Sequence, residues 1–266
     1  MTAWLTQITP DFRNPEAHRD LSDAVRMHQR IMSLVPDGLG DQPRRQAGVL
    51  YRIEVAQAGA RILAQTAIQP NLGKLPAGYG NVQVRDLGPL LRWLREGTLV
   101  RYRLNANTCL RKARSKQVVP LRGTSAEKWW TDRAPGCGLN LQSLISRSPG
   151  DIVGGSDPNK RVRHALTQFD GVATVTDPGV LTTAIITGIG RGKSHGCGLL
   201  SIAPSLPPHE PRAEQDHAGP TRQPTRTATA LLKPHVTKRP PRTGGGSPAQ
   251  EGSRYGRFGS APHARG

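Results

Sequence analysis

Residues 188–198, Gly-Ile-Gly-Arg-Gly-Lys-Ser-His-Gly-Cys-Gly, put five glycines, two cations and a histidine into eleven positions, and the apolar run Leu199–Ala203 follows. Glycine lets a backbone take positive φ and approach a ligand closely. Successive peptide N–H groups in such a turn make a concave anion site. The segment is expected to hold a phosphate, with Gly188, Gly190 and Gly192 supplying backbone and Arg191, Lys193 and Ser194 supplying side chains. It is not a Walker loop. That pattern requires a glycine five residues before the Gly of Gly-Lys-Ser, and Thr187 stands there. Two glycines after His195 also make a poor helix start. A dinucleotide fingerprint fails because Lys193 occupies the position of its third glycine.

His28 is the second group with chemical potential. It lies on the apolar face of an expected helix, seven residues after Leu21 and seven before Val35. An imidazole titrates near neutrality and suits proton transfer, but a histidine on such a face also serves as a satisfied core residue. Both readings stand on the residues alone. Cations alternate in 159–164, Asn-Lys-Arg-Val-Arg-His, which places Arg161 and Arg163 on one side of a strand or hairpin beside Lys160. Arg111, Lys112, Arg114 and Lys116 form another basic cluster, expected to be a solvated loop. Trp129 and Trp130 suit base stacking or a core, and their place beside an expected capping box favours the core. Cys109, Cys137 and Cys197 are far apart and form no CxxC, so reduced thiols are expected rather than a zinc site with His195.

The 266 residues carry 37 Lys and Arg against 19 Asp and Glu, a formal net charge of +18. Such an excess argues for a polyanionic partner. Residues 205–266 hold 10 cations and 4 anions, a net +6, whereas 1–204 hold 27 and 15, a net +12. The charge therefore belongs mainly to the first 204 residues. The Pro-, Gly-, Thr- and Arg-rich tail has too few apolar residues to offset its ordering entropy and is expected to be disordered. No apolar run approaches the ~20 residues of a membrane span. The N-terminus lacks the regions of a signal peptide. A soluble, cytoplasmic protein without membrane contact is expected.

The elements that must position these groups read as follows. Ala3–Thr9 is a strand. Asn14-Pro15 opens a helix that Ser22 restarts. Gly48–Val55 and Arg61–Thr66 pair around a turn at Gly59, Asp86–Glu96 is a helix, and Leu99–Leu104 is a closing strand. The order β-α-β-β-α-β is that of a ferredoxin-like unit. Downstream, Gln117–Leu121 is a strand, Thr124–Glu127 caps a helix, and Leu139–Ile145, His164–Phe169 and Val172–Thr176 are strands. Asp177-Pro178 starts a helix that delivers the chain to the glycine loop, and Leu199–Ala203 closes the sheet. The expectation is an α+β chain of two tandem ferredoxin-like, RRM-type domains. Residues 1–110 carry the His28 helix, 111–204 carry the glycine loop, and 205–266 form the tail.

In order and spacing these segments resemble the CasE family, the CRISPR-associated endoribonuclease of type I-E Cascade systems. The resemblance runs from Met1 to Pro204. It rests on Asp20-Leu21-Ser22-Asp23, Met27-His28-Gln29-Arg30, residues 48–54 and 102–107, Phe169-Asp170-Gly171, Thr176-Asp177-Pro178, and above all residues 188–204. It implies metal-independent cutting of precursor CRISPR RNA within the repeat by the RNA's own 2′-OH, leaving a 2′,3′-cyclic phosphate and a 5′-OH. No cofactor is implied. The implied partners are the CRISPR repeat RNA hairpin, the mature crRNA that stays bound, and other Cascade subunits. His28 matches the family's catalytic histidine, and Arg30 follows it in the motif as an RNA-binding residue. Lys160, Arg161 and Arg163 match a basic element that grips the RNA stem. Many relatives carry a tyrosine three residues before the histidine, where this chain has Val25, which cannot move a proton. His195 is the candidate to act in its place, with stacking on a base as the rival role. A noncatalytic RNA-hairpin-binding subunit is the alternative function, and a general basic RNA-binding protein is a third.

Overall fold

The computed structural model describes residues 2–205 except 58, 113, 116, 156 and 158–160. The expected disordered tail and Lys116 and Lys160 lie outside the described residues. Strand β1 (Trp4–Pro10) leads to helices α1 (Pro15–Ser22) and α2 (Ala24–Met32), followed by a short α3 (Pro43–Gln46). Asn14 caps α1, its side chain accepting from the N–H groups of Glu16 and Ala17, with Pro15 in the first position. The second helix is capped by Asp23 rather than by Ser22, through the N–H groups of Val25 and Arg26. A carboxylate one residue closer to the helix reaches its orphan donors, whereas the Ser22 hydroxyl bonds back to His18 O.

Strands β2 (Leu50–Ala56) and β3 (Gly59–Thr66) form the expected hairpin, and β4 (Gly80–Asp86) completes an antiparallel sheet in the order β2-β3-β1-β4. This is the ferredoxin-like order, with a 3-10 turn at Leu72–Lys74 where the second crossover helix would stand. Strand β4 escaped the sequence reading because it is an edge strand with apolar residues only at Val82 and Val84. The expected helix over 86–96 is the shorter α4 (Gly88–Trp93).

β5 (Leu99–Asn107), expected to close the first sheet, instead pairs with β12 (Leu166–Val175) and β13 (Leu200–Pro204) in the second. Between them run the hairpin β6 (Cys109–Arg111) and β7 (Val118–Pro120), helix α5 (Thr124–Thr131), β8 (Leu139–Leu141), β9 (Ile145–Arg147), the hairpin β10 (Ile152–Gly154) and β11 (Val162–His164), and, after β12, helix α6 (Pro178–Thr187). The sheet order β13-β5-β12-β8 is again ferredoxin-like, with α5 and α6 as its crossovers. The strands read separately at 164–169 and 172–176 are one, because β12 crosses Gly171 without interruption. The capping box did not form: Gly123 is the N-cap without a side-chain bond, and the Glu127 carboxylate accepts from Ser146 instead. Asp177 caps α6 as expected.

The core of the second sheet holds Trp129 and Trp130 against Phe169, with ring centroids 6.5 and 6.2 Å away. The tryptophans are therefore packing residues. A buried guanidinium fastens the two sheets: Arg52 of β2 is 2% exposed and donates to the carbonyls of Arg103 and Leu199, with Glu54 as its counter-ion. Gln65 of β3 adds a bond to Ile185 O. The glycine loop thus joins α6 to the edge strand β13, close to β2 and α2.

Candidate active site

Three chain segments meet at one place. Helix α2 brings His28, the β10–β11 hairpin brings Arg163 and His164, and the glycine loop brings Arg191 to His195. The hairpin docks on the start of α2 because Gly154 has no side chain; a Cβ there would lie 2.8 Å from the N–H nitrogens of Ala24 and Val25. The next amide, Gly155 N–H, donates to both oxygens of Asp23, at 3.2 and 3.1 Å. Burial pushes the Asp23 carboxyl up, but the N–H groups of Arg26, Gly155 and Val25 outweigh it and hold the pKa below the usual value. The loop docks through Tyr51 of β2, whose hydroxyl lies 3.3 Å from Ala24 O in α2 and 3.2 Å from Ser194 O in the loop. Burial raises that phenol far beyond neutrality, so it stays protonated.

This docking brings His28 and His195 together, with ring centroids 6.1 Å apart. A third ring, His164, lies 5.1 Å from His195, and its Nε2 is 3.1 Å from His195 Nδ1. Its Nδ1 meets Asn107 Nδ2 at 2.9 Å. Among the described residues, His28 Nδ1 is buried with no hydrogen-bond partner. All three imidazoles titrate below the ordinary value. Burial is the main cause for each, with His195 and Arg44 acting on His28, and His195 and Arg191 on His164. For His195 the nearby Asp23 opposes the effect of burial. Burial therefore favours the neutral form of all three rings.

A cleft of about 710 Å³ opens on this cluster, lined by Arg122, Arg163, His164, Arg191, Lys193 and His195 among others. A second of about 940 Å³ also reaches His195, with Arg103 and Arg147 on its wall. His28 lines a smaller one of about 520 Å³ with Arg44 and Arg45. Burial lowers the pKa of Lys193, and Arg44 and Arg45 lower it further. Such crowding of like charges is costly without an anion and favourable with one. Arg44, Arg45, His164, Asn107 and Tyr51 escaped the sequence reading. An Arg-Arg pair beside Pro43 was the available signal for the first two; the others become visible only through tertiary contacts.

The predicted site residues divide. His28, His195, Arg163, Arg191, Lys193 and Ser194 lie at or beside the clefts. Arg161 is exposed just before β11, and Lys160 lies outside the described residues. Arg163 is exposed but ion-paired, sharing Asp151 with Arg122. Lys193 Nζ donates to Thr187 O at the end of α6. Arg30 is engaged elsewhere: its guanidinium pairs with Asp20 and Glu16 and lies over the Tyr79 ring, where it braces α2 against α1. The loop backbone is also largely committed. The N–H groups of Gly188, Ile189, His195, Cys197 and Gly198 bond to carbonyls of the fold. A Cβ on Gly188 would lie 2.6 Å from the Leu50 side chain and one on Gly190 3.2 Å from Trp129, so these glycines permit packing. Gly192 abuts Asn107 and Cys197. The loop offers side chains more than a nest of amides. The three cysteines are free, and burial pushes the Cys197 thiol up to about 12. Among the described residues, no group of three or more His, Cys, Asp and Glu is placed to hold a metal ion, and no helix is long and apolar enough to cross a membrane.

The family model described as CRISPR associated protein matches residues 3–204. The chain belongs to this family. The described part of the fold and all three segments of the histidine cluster fall within the match. The chain is 30% identical over 219 residues to the CRISPR-associated endoribonuclease Cse3 of Thermus thermophilus, covering 76% of this chain and 100% of that protein. It is 28% identical to the CRISPR system Cascade subunit CasE of Escherichia coli K12, over 68% of this chain and 92% of that one. A solved structure of Thermus thermophilus Cse3 bound to an RNA representing a pre-cleavage complex superposes with a TM-score of 0.67 at 27% identity, over 77% of this chain and 100% of that one. The two ferredoxin-like units are thus those of this CRISPR-associated family.

Proposed function

We propose that this protein is an endoribonuclease that cuts precursor CRISPR RNA within the repeat hairpin and keeps the mature crRNA as a subunit of a Cascade complex. The observation that carries the reading is the pairing of His28 with His195, 6.1 Å apart, each of them lining a cleft walled by cations. Similarity to a CRISPR-associated endoribonuclease and to a Cascade subunit supports this choice of substrate and assembly.

In this reading the RNA's 2′-OH attacks the adjacent phosphorus. The O2′–P bond forms, the P–O5′ bond breaks, and the products are a 2′,3′-cyclic phosphate and a 5′-OH. His28 takes the 2′-OH proton, and the departing O5′ takes a proton from water to become the 5′-OH. His195 donates a hydrogen bond to the phosphate, and Arg191 and Lys193 balance its growing negative charge. Arg161 and Arg163 contact the phosphates of the stem, the task for which a guanidinium is best shaped. No metal ion has a part in these steps. A single observation favours a second reading, a noncatalytic RNA-hairpin-binding subunit: Val25 has no proton to give, and its N–H is spent on Asp23.

Incubating the full-length protein with its host's repeat RNA in EDTA separates the two. A single cut leaving a cyclic phosphate, lost in His28→Ala, supports the nuclease. Tight binding without a cut supports the second reading, and no preference for the repeat hairpin sinks both.

A further inference from the structure

Asn107, His164 and His195 form one hydrogen-bonded chain, with links of 2.9 Å and 3.1 Å. An amide nitrogen has hydrogens to give and no lone pair to offer, so His164 Nδ1 must accept from Asn107 Nδ2. A neutral imidazole carries a single N–H. His164 therefore holds its hydrogen on Nε2 and donates it to His195 Nδ1. His195 Nδ1 is then the acceptor, and the hydrogen of that ring sits on Nε2. The chain is firmly based, since Asn107 is 8% exposed and its backbone bridges to Arg191 in the loop.

From this geometry we infer that His164 is a positioning residue that, held by Asn107, fixes His195 as a neutral Nε2–H donor to a phosphate oxygen of the RNA. The inference rests on the cleavage reading above and specifies the form in which His195 serves it. A proton added to His195 would land on Nδ1 and face the hydrogen of His164. One added to His164 would face the hydrogens of Asn107. Both rings thus resist charging, as their burial also requires.

The other titratable groups around the rings agree. Helix α2 presents His28 and, at its cap, Asp23; the loop presents Arg191, Lys193 and Cys197; β2 presents Tyr51; α3 presents Arg44 beside His28. Cys197 and Tyr51 are held protonated by burial, which leaves Asp23 as the anion acting on His195. A neutral donor stabilises charge as it develops on oxygen without surrendering its own proton. Proton transfer then falls to His28.

The test is ¹⁵N NMR of the histidine side chains in the full-length protein at pH 8, combined with single-turnover cleavage of repeat RNA. Both His164 and His195 are expected as Nε2–H tautomers. In His164→Leu, His195 is expected to become a tautomer mixture and to titrate at higher pH. Cleavage should fall on the order of tenfold with RNA affinity unchanged, because only the orientation of one donor is lost. His164→Gln keeps an N–H at the same place and is expected to restore most of the rate. An Nδ1–H tautomer of His195 in the unaltered protein, the outcome of a turned Asn107 amide, overturns the inference. So does a His195 titration that neither variant moves. An unaltered protein that shows the expected tautomers but cuts nothing overturns the cleavage reading, and with it the donor role, while leaving the hydrogen-bonded chain in place.

Discussion

Asp23 caps the helix that carries His28 and with the same carboxylate accepts the Gly155 amide of the β10–β11 hairpin, at 3.2 and 3.1 Å. One side chain thereby sets the start of α2 and the distance of the basic hairpin from it. Replacing Asp23 by Ala removes a cap worth roughly 1 kcal/mol and frees the hairpin. The melting temperature is expected to fall by several degrees, with weaker RNA binding. A variant that melts lower but binds RNA with full affinity would show the tether to be idle. Because the folded pKa of Asp23 is depressed, this stabilisation is present above the unfolded value and fades as pH falls through the folded one. It is intact at neutral pH and lost in acid.

Tyr51→Phe deletes the hydroxyl that lies between Ala24 O and Ser194 O while keeping the ring. The loss of this one donor, shared between two buried carbonyls, is expected to cost about 1–2 kcal/mol in denaturant unfolding. It should slow cleavage more than it weakens binding, since it loosens the approach of His195 to His28. An equal loss of rate and affinity would place the effect on the fold as a whole.

His28→Ala is expected to slow cleavage by about 10²–10⁴, the range for a lost proton-transfer group. A His195→Ala variant that keeps both limbs of the pH–rate profile, at a lower rate, fits a donor. Loss of one limb would make His195 a proton carrier instead. For folding, the three histidines have pKa values below the ordinary 6.5. The unfolded chain therefore binds more protons as pH falls below 6.5, and stability should decline from there toward the folded values. A stability profile flat between pH 7 and pH 5 would contradict the buried, neutral cluster.

Arg161→Ala and Arg163→Ala should each weaken binding to any RNA hairpin and reduce the salt dependence of log Kd by about one phosphate contact. Arg163 also releases Asp151, which keeps Arg122 as a partner. A loss of binding in Arg163→Ala with an unchanged salt slope would assign that residue to the architecture of the hairpin.

Much of the architecture was legible in local chemistry. Asn14-Pro15 and Asp177-Pro178 announced two helices, and the runs at 3–9, 48–55 and 61–66 announced three strands, because caps and period-2 patterns act within a few residues. Strand β4 was hidden because an edge strand needs few apolar side chains. Leu99–Asn107 was visible as a strand, but its partners were not. Either sheet would bury its apolar residues, and only the positions of β12 and β13 decide between them.

For the site, the sequence by itself determined its ingredients: a glycine-rich loop with His195, a helix with His28 on one face, an excess of cations, and the family. It did not determine which of those groups meet. Arg30 sits two residues from His28, yet the helical turn points it at Asp20 and Glu16. His164 was read as part of a strand and stands next to His195 because the hairpin packs against α2 at Gly154. The glycines proved to be a matter of packing, with Leu50 and Trp129 filling the space that a Cβ would need. Hydrogen bonds such as those of Asn107, His164 and His195 require placement within a few tenths of an ångström. That placement comes from sheet register and loop closure across distant parts of the chain, which only the tertiary structure supplies.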